Sequence, residues 1–372
     1  MMATIFIDGF DVDFPNDSAG FWSDFTENYA STGTLYYQNT TVRNGLGAIR
    51  IQNDANQNTA YRYISKSLPS TYTELYVGFA FRYSSSQSLT ENMSANFIPF
   101  FGTRSSTSAN QVGLGIDKTS RLVYAYFGNA DNDSTYGYSA TSLSVDTWYY
   151  IDFHVVISDT VGVVQVKIDG ALEIDVSAAD TNNGGGNIQT LEIGILNNYD
   201  VIYKGGGADF YYDDFAVNDT TGSVGNSWLN LAGVFPLHPD GDGNYAAWSS
   251  TGAADYTEVD DTGSFGTLPD DDTTMLSSST TGARVSLTFD DLPFAGIVQA
   301  VQIMTYNNST TAGTDEMANF VRIGTTDYDQ TAFVPSTSWA WQIEILNTSP
   351  ATATEWDSAE IDGMEVGFKR VT

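Results

Sequence analysis

A chain of 372 residues is long for one domain and ample for two, each able to bury a core. Its 46 acidic residues against 14 basic ones give a formal net charge of -32, which repels phosphate backbones and anionic lipid and argues against nucleic acid or a membrane as partner. With no cysteine, disulfides and thiolate metal sites are excluded, which favours folding in a reducing compartment.

The opening MMATIFIDGF has no basic stretch leading into an apolar run and a small-residue cleavage site, so no export signal is expected. No later run approaches the length of a membrane span. Abundant Gly, Tyr, Phe, Ser, Thr and Asn predict short strands joined by polar turns and almost no helix. Residues 4–10, TIFIDGF, read as a strand running into the acidic stretch Asp8 to Asp13. An aromatic-rich segment with Trp22, Phe25, Tyr36 and Tyr37 follows, then a strand pair at 48–51 and 61–64. ELYVGFAFRY at 74–83 alternates Leu75, Val77, Phe79 and Phe81 against Tyr76, Gly78, Ala80 and Arg82, a half-buried strand. Further strands are predicted at 97–101, 112–116 and 122–127.

The clearest pattern is LSVDTWYYIDFHVVISDTVGVVQVKIDGALEIDV at 143–176, a three-stranded antiparallel meander. Tyr149, Ile151, Phe153, Val155 and Ile157 share one face, and Trp148, Tyr150, Asp152 and His154 the other. Asp169-Gly170 supplies a two-residue hairpin turn, after which Leu172, Ile174 and Val176 complete the dry side and Glu173 and Asp175 face water. A glycine turn at 182–187, a strand at 190–196, a second glycine turn at 205–207 and a strand at 208–217 finish the first domain. The pattern predicts an all-β protein: a two-sheet sandwich over 1–218, a linker at 219–227, and a second, smaller β-sandwich over 228–372. In the second domain, strands are expected within 229–237, near 283–289, 297–306 and 320–323, and at 339–346 and 362–371, with an acidic loop at 255–272. Trp228, Trp248, Trp339, Trp341 and Trp356 are expected to fill its core rather than to line a ligand platform.

Two groups of residues could bind something. Asp240, Asp242 and Asn244 offer oxygens at alternate positions, as a calcium loop does, although Tyr245 and Thr251 stand where an EF-hand needs glycine and glutamate; a plain Asp-Gly turn would need no metal. Trp148, Tyr150, Asp152 and His154 could hold a sugar by stacking and hydrogen bonding, or could pack beneath a loop. Two histidines are too few for a zinc site, and no P-loop, dinucleotide fingerprint or Ser-His-Asp order is present.

The Trp148 strand followed by VQVKIDG at 164–170 resembles the concanavalin A-like or laminin-G-like jelly roll, with FIDGFD at 6–11 and YYDDFAVND at 211–219 similar to its opening and closing strands. The resemblance covers about the first 220 residues and implies that those two segments pair. Pairing would bring together Asp8, Asp11, Asp213 and Asp214, and related sandwiches often hold structural calcium near that edge. The fold includes lectins and glucanases, and the glucanases carry paired carboxylates on one strand. Glu360-Ile361-Asp362-Gly363-Met364-Glu365 has that spacing but lies outside the jelly roll, and Glu173-Ile174-Asp175 lacks a second glutamate, so no catalytic residue is assigned and the chain is expected not to be an enzyme.

The order DDFAVND, a short glycine linker, WLNLAGVFPLHPDGDGNYAAW at 228–248, then YTEVDD and LPDDDTTML resembles tail, neck or capsid-surface proteins of tailed bacteriophages. That resemblance implies a non-catalytic virion protein folded in the host cytoplasm, a homo-oligomer in contact with other virion proteins, its jelly roll facing surface glycans. Under it the second domain would serve in anchoring or oligomerisation. A secreted carbohydrate-binding protein and a glycosidase are the alternatives.

Overall fold

Period-two alternation broken by Gly, Asn and Asp produces a chain built almost wholly of antiparallel strands. The structure, a computed structural model, describes residues 3–12, 22, 24–27, 35–52, 62–84, 97–128, 135–196, 209–252, 254–261, 265 and 268–372. Asp13, Tyr61, the side chain of Phe25 and the glycine turn at 205–207 lie outside the described residues. The chain divides into two compact units, Met1–Val234 and Phe235–Thr372, so residues 219–234, expected as linker and as the start of a second domain, fall within the first.

The first unit contributes β1 (Thr4–Asp8), β2 (Asp24–Glu27), β3 (Leu35–Gln38), β4 (Ala48–Gln52) and β5 (Arg62–Tyr72). They are followed by β6 (Glu74–Ser84), β7 (Phe97–Ser105), β8 (Asn110–Asp117), β9 (Leu122–Phe127) and β10 (Thr135–Ser142). The last five are β11 (Tyr149–Val156), β12 (Gly162–Ile168), β13 (Ala171–Ala179), β14 (Ile188–Ile195) and β15 (Asp209–Asn218). One sheet runs β13-β12-β11-β6-β15-β4-β3 with β1 also on β15; the other runs β10-β9-β8-β7-β14-β5-β2. This is the jelly-roll sandwich. Its core is aromatic: Phe81 stacks on Phe100 at 4.3 Å and Phe79 on Phe101 at 5.3 Å, joining the two sheets.

The meander forms as its pattern requires, with Ile151 opposite Ile168 and Phe153 opposite Val166. Asp169 and Gly170 both take positive φ, 48° and 82°, the left-handed pair that matches the twist of a tight hairpin. Two details differ. The register of β12 with β13 shifts between Val166 and Lys167, and Leu172 is turned out to 50% exposure instead of joining the dry face. Glu173 does not face water alone: its carboxylate accepts from the Ala140 and Thr141 amides and the Thr141 hydroxyl, tying β13 to β10 across the open edge of the sandwich.

The second unit contains β16 (Pro239–Ala246), β17 (Ser249–Ser250), a 3-10 turn at Tyr256–Glu258, β18 (Leu276–Ser277), β19 (Arg284–Phe289), β20 (Ile297–Val298) and β21 (Val301–Asn307). Then come β22 (Met317–Ile323), β23 (Thr326–Asp329), β24 (Ala340–Leu346), β25 (Trp356–Asp357), α1 (Ser358–Asp362) and β26 (Met364–Arg370). A five-stranded sheet, β16-β19-β26-β22-β23, is covered by the β21-β24 ribbon, a smaller sandwich. Ile303, Val321, Trp356, Ile361, Met364 and Val366 form the core between them. The strand expected within 229–237 does not form.

Candidate functional site

The outer face of the first sheet carries the residues that the meander presents away from the core. Tyr150, Asp152 and His154 do lie together there, but at 1%, 1% and 7% exposure, because residues 228–234 fold back over them. Leu229 is 2% exposed in a pocket made by Ala80, Tyr150 and Ala216. Gly78 makes the approach possible: a Cβ there would lie 2.3 Å from the Tyr150 hydroxyl and 2.9 Å from the Leu229 side chain. Trp228 sets its edge against Tyr76 and His154, under the Lys167 ammonium at 4.0 Å. The Asp152 carboxylate accepts from the amides of Leu229 at 3.4 Å and Asn230 at 2.9 Å; burial pushes its pKa up to about 6 against the pull of those amides. His154 is held between Gln165 and Glu74, each 2.9 Å away, and stacks on Tyr76 at 4.1 Å. Trp148, partly buried, packs against the same cluster of Ala80, Tyr150, Ala216 and Leu229, its ring edge-on to Tyr211 at 6.4 Å. This face therefore offers a sugar no open platform at Tyr150, Asp152 or His154.

The terminal strands pair antiparallel, with Asp8 opposite Phe215, and the four aspartates are brought into one buried region. Their oxygens meet N–H donors. Asp8 accepts from the Phe10 amide and the Trp22 indole, both at 2.7 Å. Asp11 accepts from the amides of Leu46 at 2.5 Å and Gly47 at 3.1 Å. Asp213 accepts from the amides of Arg43, Asn44 and Asp214. Asp214 accepts from the Val234 amide at 2.6 Å, the Asn44 side chain at 2.8 Å and the Arg43 guanidinium at 2.5 Å. Burial, then the neighbouring Asp8 and Asp214 charges, raises Asp11 to about 7 despite its two amide donors. Burial and the adjacent Asp214 raise Asp213 to about 9, and burial raises Asp214 too. A calcium shell needs roughly six to eight oxygens facing one point. Here the oxygens face amides, and a guanidinium already supplies the positive charge, so the set does not fit a calcium ion. Among the described residues no group of three or more His, Asp or Glu side chains is arranged to hold a metal.

Asp240, Asp242 and Asn244 lie along β16 rather than in a loop. At a rise of about 3.4 Å per residue the first and last of the three are roughly 13.6 Å apart, too far for all three side chains to reach one ion. Asp240 accepts from the Thr288 hydroxyl and Asp242 from the Tyr256 amide, while the Asn244 amide donates to Glu365. The Glu360, Asp362 and Glu365 spacing is broken likewise: the first two sit on α1 and the third on β26.

The outer face of the second sheet is built differently. Gly113 pairs directly with Tyr126, and Gly115 with Tyr124, across β8 and β9. A Cβ at either glycine would lie 2.3 Å from the facing ring, so the tyrosines lie flat on the sheet only because the glycines are bare. Phe97 meets Tyr124 at 4.6 Å, and Tyr138, 45% exposed, stands over both at 6.2 and 6.1 Å, whereas Tyr124 and Tyr126 are themselves buried and form the floor beneath. Beside this strip is a pocket whose lining includes Gly102, Asn110, Gln111, Tyr126, Glu192 and Leu196. Glu192 is 4% exposed and paired with Arg104 at 2.6 Å; burial raises its pKa and the guanidinium opposes that rise. The Gln111 side chain spans from the Asn183 amide to the Gly186 carbonyl and fixes the adjoining glycine turn. Sequence reasoning missed this face. Its signal was the run VGLGI at 112–116 opposite VYAYF at 123–127, glycines and tyrosines alternating with the same period.

No protein-family model matches the sequence, and no curated protein matches it. Among solved structures, an endo-beta-1,4-glucuronan lyase from the fungus Trichoderma reesei is similar at 13% identity and a TM-score of 0.43, over 56% of this chain and 94% of that one. The cellulose induced protein Cip1 is similar at 12% identity and a TM-score of 0.39, over 53% and 91%. The alginate lyase vAL-1 from Chlorella virus is similar at 12% identity and a TM-score of 0.36, over 50% and 90%. These similarities are to a β-sandwich architecture. None of these proteins is described as a bacteriophage virion component and two are enzymes, so the expectation of a non-catalytic virion protein is withdrawn on this finding.

Proposed function

We propose that the first unit is a glycan-recognition module that works through the outer face of its second sheet. The observation that carries this reading is the exposed Tyr138 ring beside half-buried Phe97, seated on a floor of buried Tyr124 and Tyr126 that lies flat over bare glycines, next to a pocket lined by Glu192, the partner of Arg104. Pyranose rings present C–H faces to aromatic rings and hydroxyls to polar groups at the margin; Tyr138 and the open part of Phe97 offer the first, and the pocket beside them the second. Affinity electrophoresis in gels containing soluble polysaccharides tests it. Tyr138→Ala, which removes the most exposed ring, should weaken retardation about two- to tenfold. Full retardation of that variant, or none of the parent protein, would refute the reading.

A second reading, cleavage of the bound chain, rests on the floor of the same pocket. The Tyr126 hydroxyl and a Glu192 carboxylate oxygen lie 3.8 and 3.9 Å from the point a Cβ on Gly102 would occupy, with a Leu196 methyl at 2.8 Å, so two groups able to transfer a proton border the same space and Arg104 pairs with one of them. Glu192→Gln should then abolish release of new chain ends while retardation in the gel persists; equal release by both proteins would remove this reading.

A further inference from the structure

In the second unit the β21-β24 ribbon has one face fixed inward. Ile303 belongs to the core, the Thr305 hydroxyl donates to Asn319 at 3.0 Å, and the Asn319 side chain donates to Glu344 at 3.2 Å. Period two then turns Met304 and Tyr306, with their cross-strand partners Ile343 and Trp341, to the other face. On that face Tyr306 meets Trp341 at 5.0 Å and is stacked on Trp339 at 5.3 Å with the rings 15° apart. Two exposed consecutive aspartates hold the rings by their polar ends: Asp271 accepts from the Tyr306 hydroxyl at 3.0 Å and Asp272 from the Trp339 indole at 3.2 Å. Asp271 takes the left-handed backbone, φ 58°, so that neighbouring side chains reach two different rings.

A cross-strand aromatic pair by itself stabilises a ribbon. Trp339 goes beyond that need: it lies outside the strand, adds a third ring, and is oriented by its own carboxylate. We propose that Tyr306, Trp339 and Trp341, with Asp271 and Asp272 at their margin, form a second carbohydrate-binding site, for a neutral polysaccharide. The rings take the C–H face of a sugar, and the carboxylates accept from its hydroxyls. Charge selects the class. The cations of this unit, Arg284, Arg322, Lys369 and Arg370, are each paired with an aspartate elsewhere, so the platform presents carboxylates only and repels uronates, sulfated chains and phosphates. The site rests on the second unit alone and does not depend on the reading of the first.

Affinity electrophoresis of the full chain in gels containing hydroxyethyl cellulose, xyloglucan or galactomannan, with alginate as the anionic control, tests the proposal. Retardation by at least one neutral polymer and not by alginate is expected, weakened about tenfold in Trp339→Ala and partly in Asp272→Asn. Trp339→Phe, which keeps a ring, should retain most of the binding and guards against a folding defect. Retardation that Tyr138→Ala abolishes and Trp339→Ala leaves intact would overturn this site while supporting the one in the first unit. Self-association of the parent protein abolished by Trp339→Ala, without retardation by any neutral polymer, would overturn it in favour of a protein contact.

Discussion

Asp11 offers a sharp test of the electrostatics where the first and last strands of the first unit pair. Its carboxyl is buried, accepts from two amides through one oxygen, and has its pKa raised from 3.8 to about 7. A carboxyl whose pKa is higher folded than unfolded binds the extra proton in the folded state, so stability is greatest below the lower value and falls as pH rises through the window. Between 3.8 and about 7 the loss amounts to about 4 kcal/mol, at 1.36 kcal/mol per pKa unit. Asp11→Asn keeps an acceptor for the Leu46 and Gly47 amides and removes the titration. In chelator, urea unfolding of the two proteins should coincide near pH 4 and separate steadily, with the variant more stable near pH 8 by up to about 4 kcal/mol. Calcium should leave both curves where they are, because amides and Arg43 already occupy the acceptors. A variant destabilised equally at both ends of the pH range would refute the burial argument. Calcium stabilisation of the parent protein that Asp11→Asn abolishes would refute the assignment of the charge to Arg43.

The segment over the first sheet is held by one deeply seated side chain: Leu229→Ala should cost about 2–5 kcal/mol and lower the melting temperature of the first unit, and an unchanged melting curve would mean that the segment is not seated as described. In the second unit Trp356 is 1% exposed at the centre of the core and its indole donates to the Leu346 carbonyl at 2.9 Å; Trp356→Ala should cost about 3–5 kcal/mol, read from denaturant unfolding.

Much of the sandwich was legible because its strands obey simple alternation. The meander could be read to its turn, since Asp169-Gly170 can adopt the backbone its hairpin demands. The end strands could be matched through FIDGFD and YYDDFAVND. What escaped were features decided by tertiary contact. Residues 228–234 have no period, and only the pocket above Gly78 shows why they lie where they do. Leu172 fits the alternation and is displaced by a register shift that no single strand reveals. The Glu360 to Glu365 spacing read as one strand is interrupted by α1, capped where the Asp357 side chain accepts from the Ala359 amide. Trp339 and Trp341 were assigned to the core by composition, yet the inward face of their ribbon is taken by Ile303, Thr305 and Glu344. The tyrosine strip needed two strands to be read together, glycine against ring.

The pairing of β1 with β15 also bears on how the chain is made. Thr4 faces Asn218 and the Thr4 hydroxyl donates to the Asn218 side chain, and among the described residues the first strand pairs with no strand but the last of the unit. On a ribosome it must wait, an unpaired apolar edge, while everything between is synthesised, and closure spends the entropy of a loop of that length in one step. Folding of the first unit is therefore late and slow compared with its local hairpins. Release of a chain truncated before β15 should leave that edge open to other copies of itself.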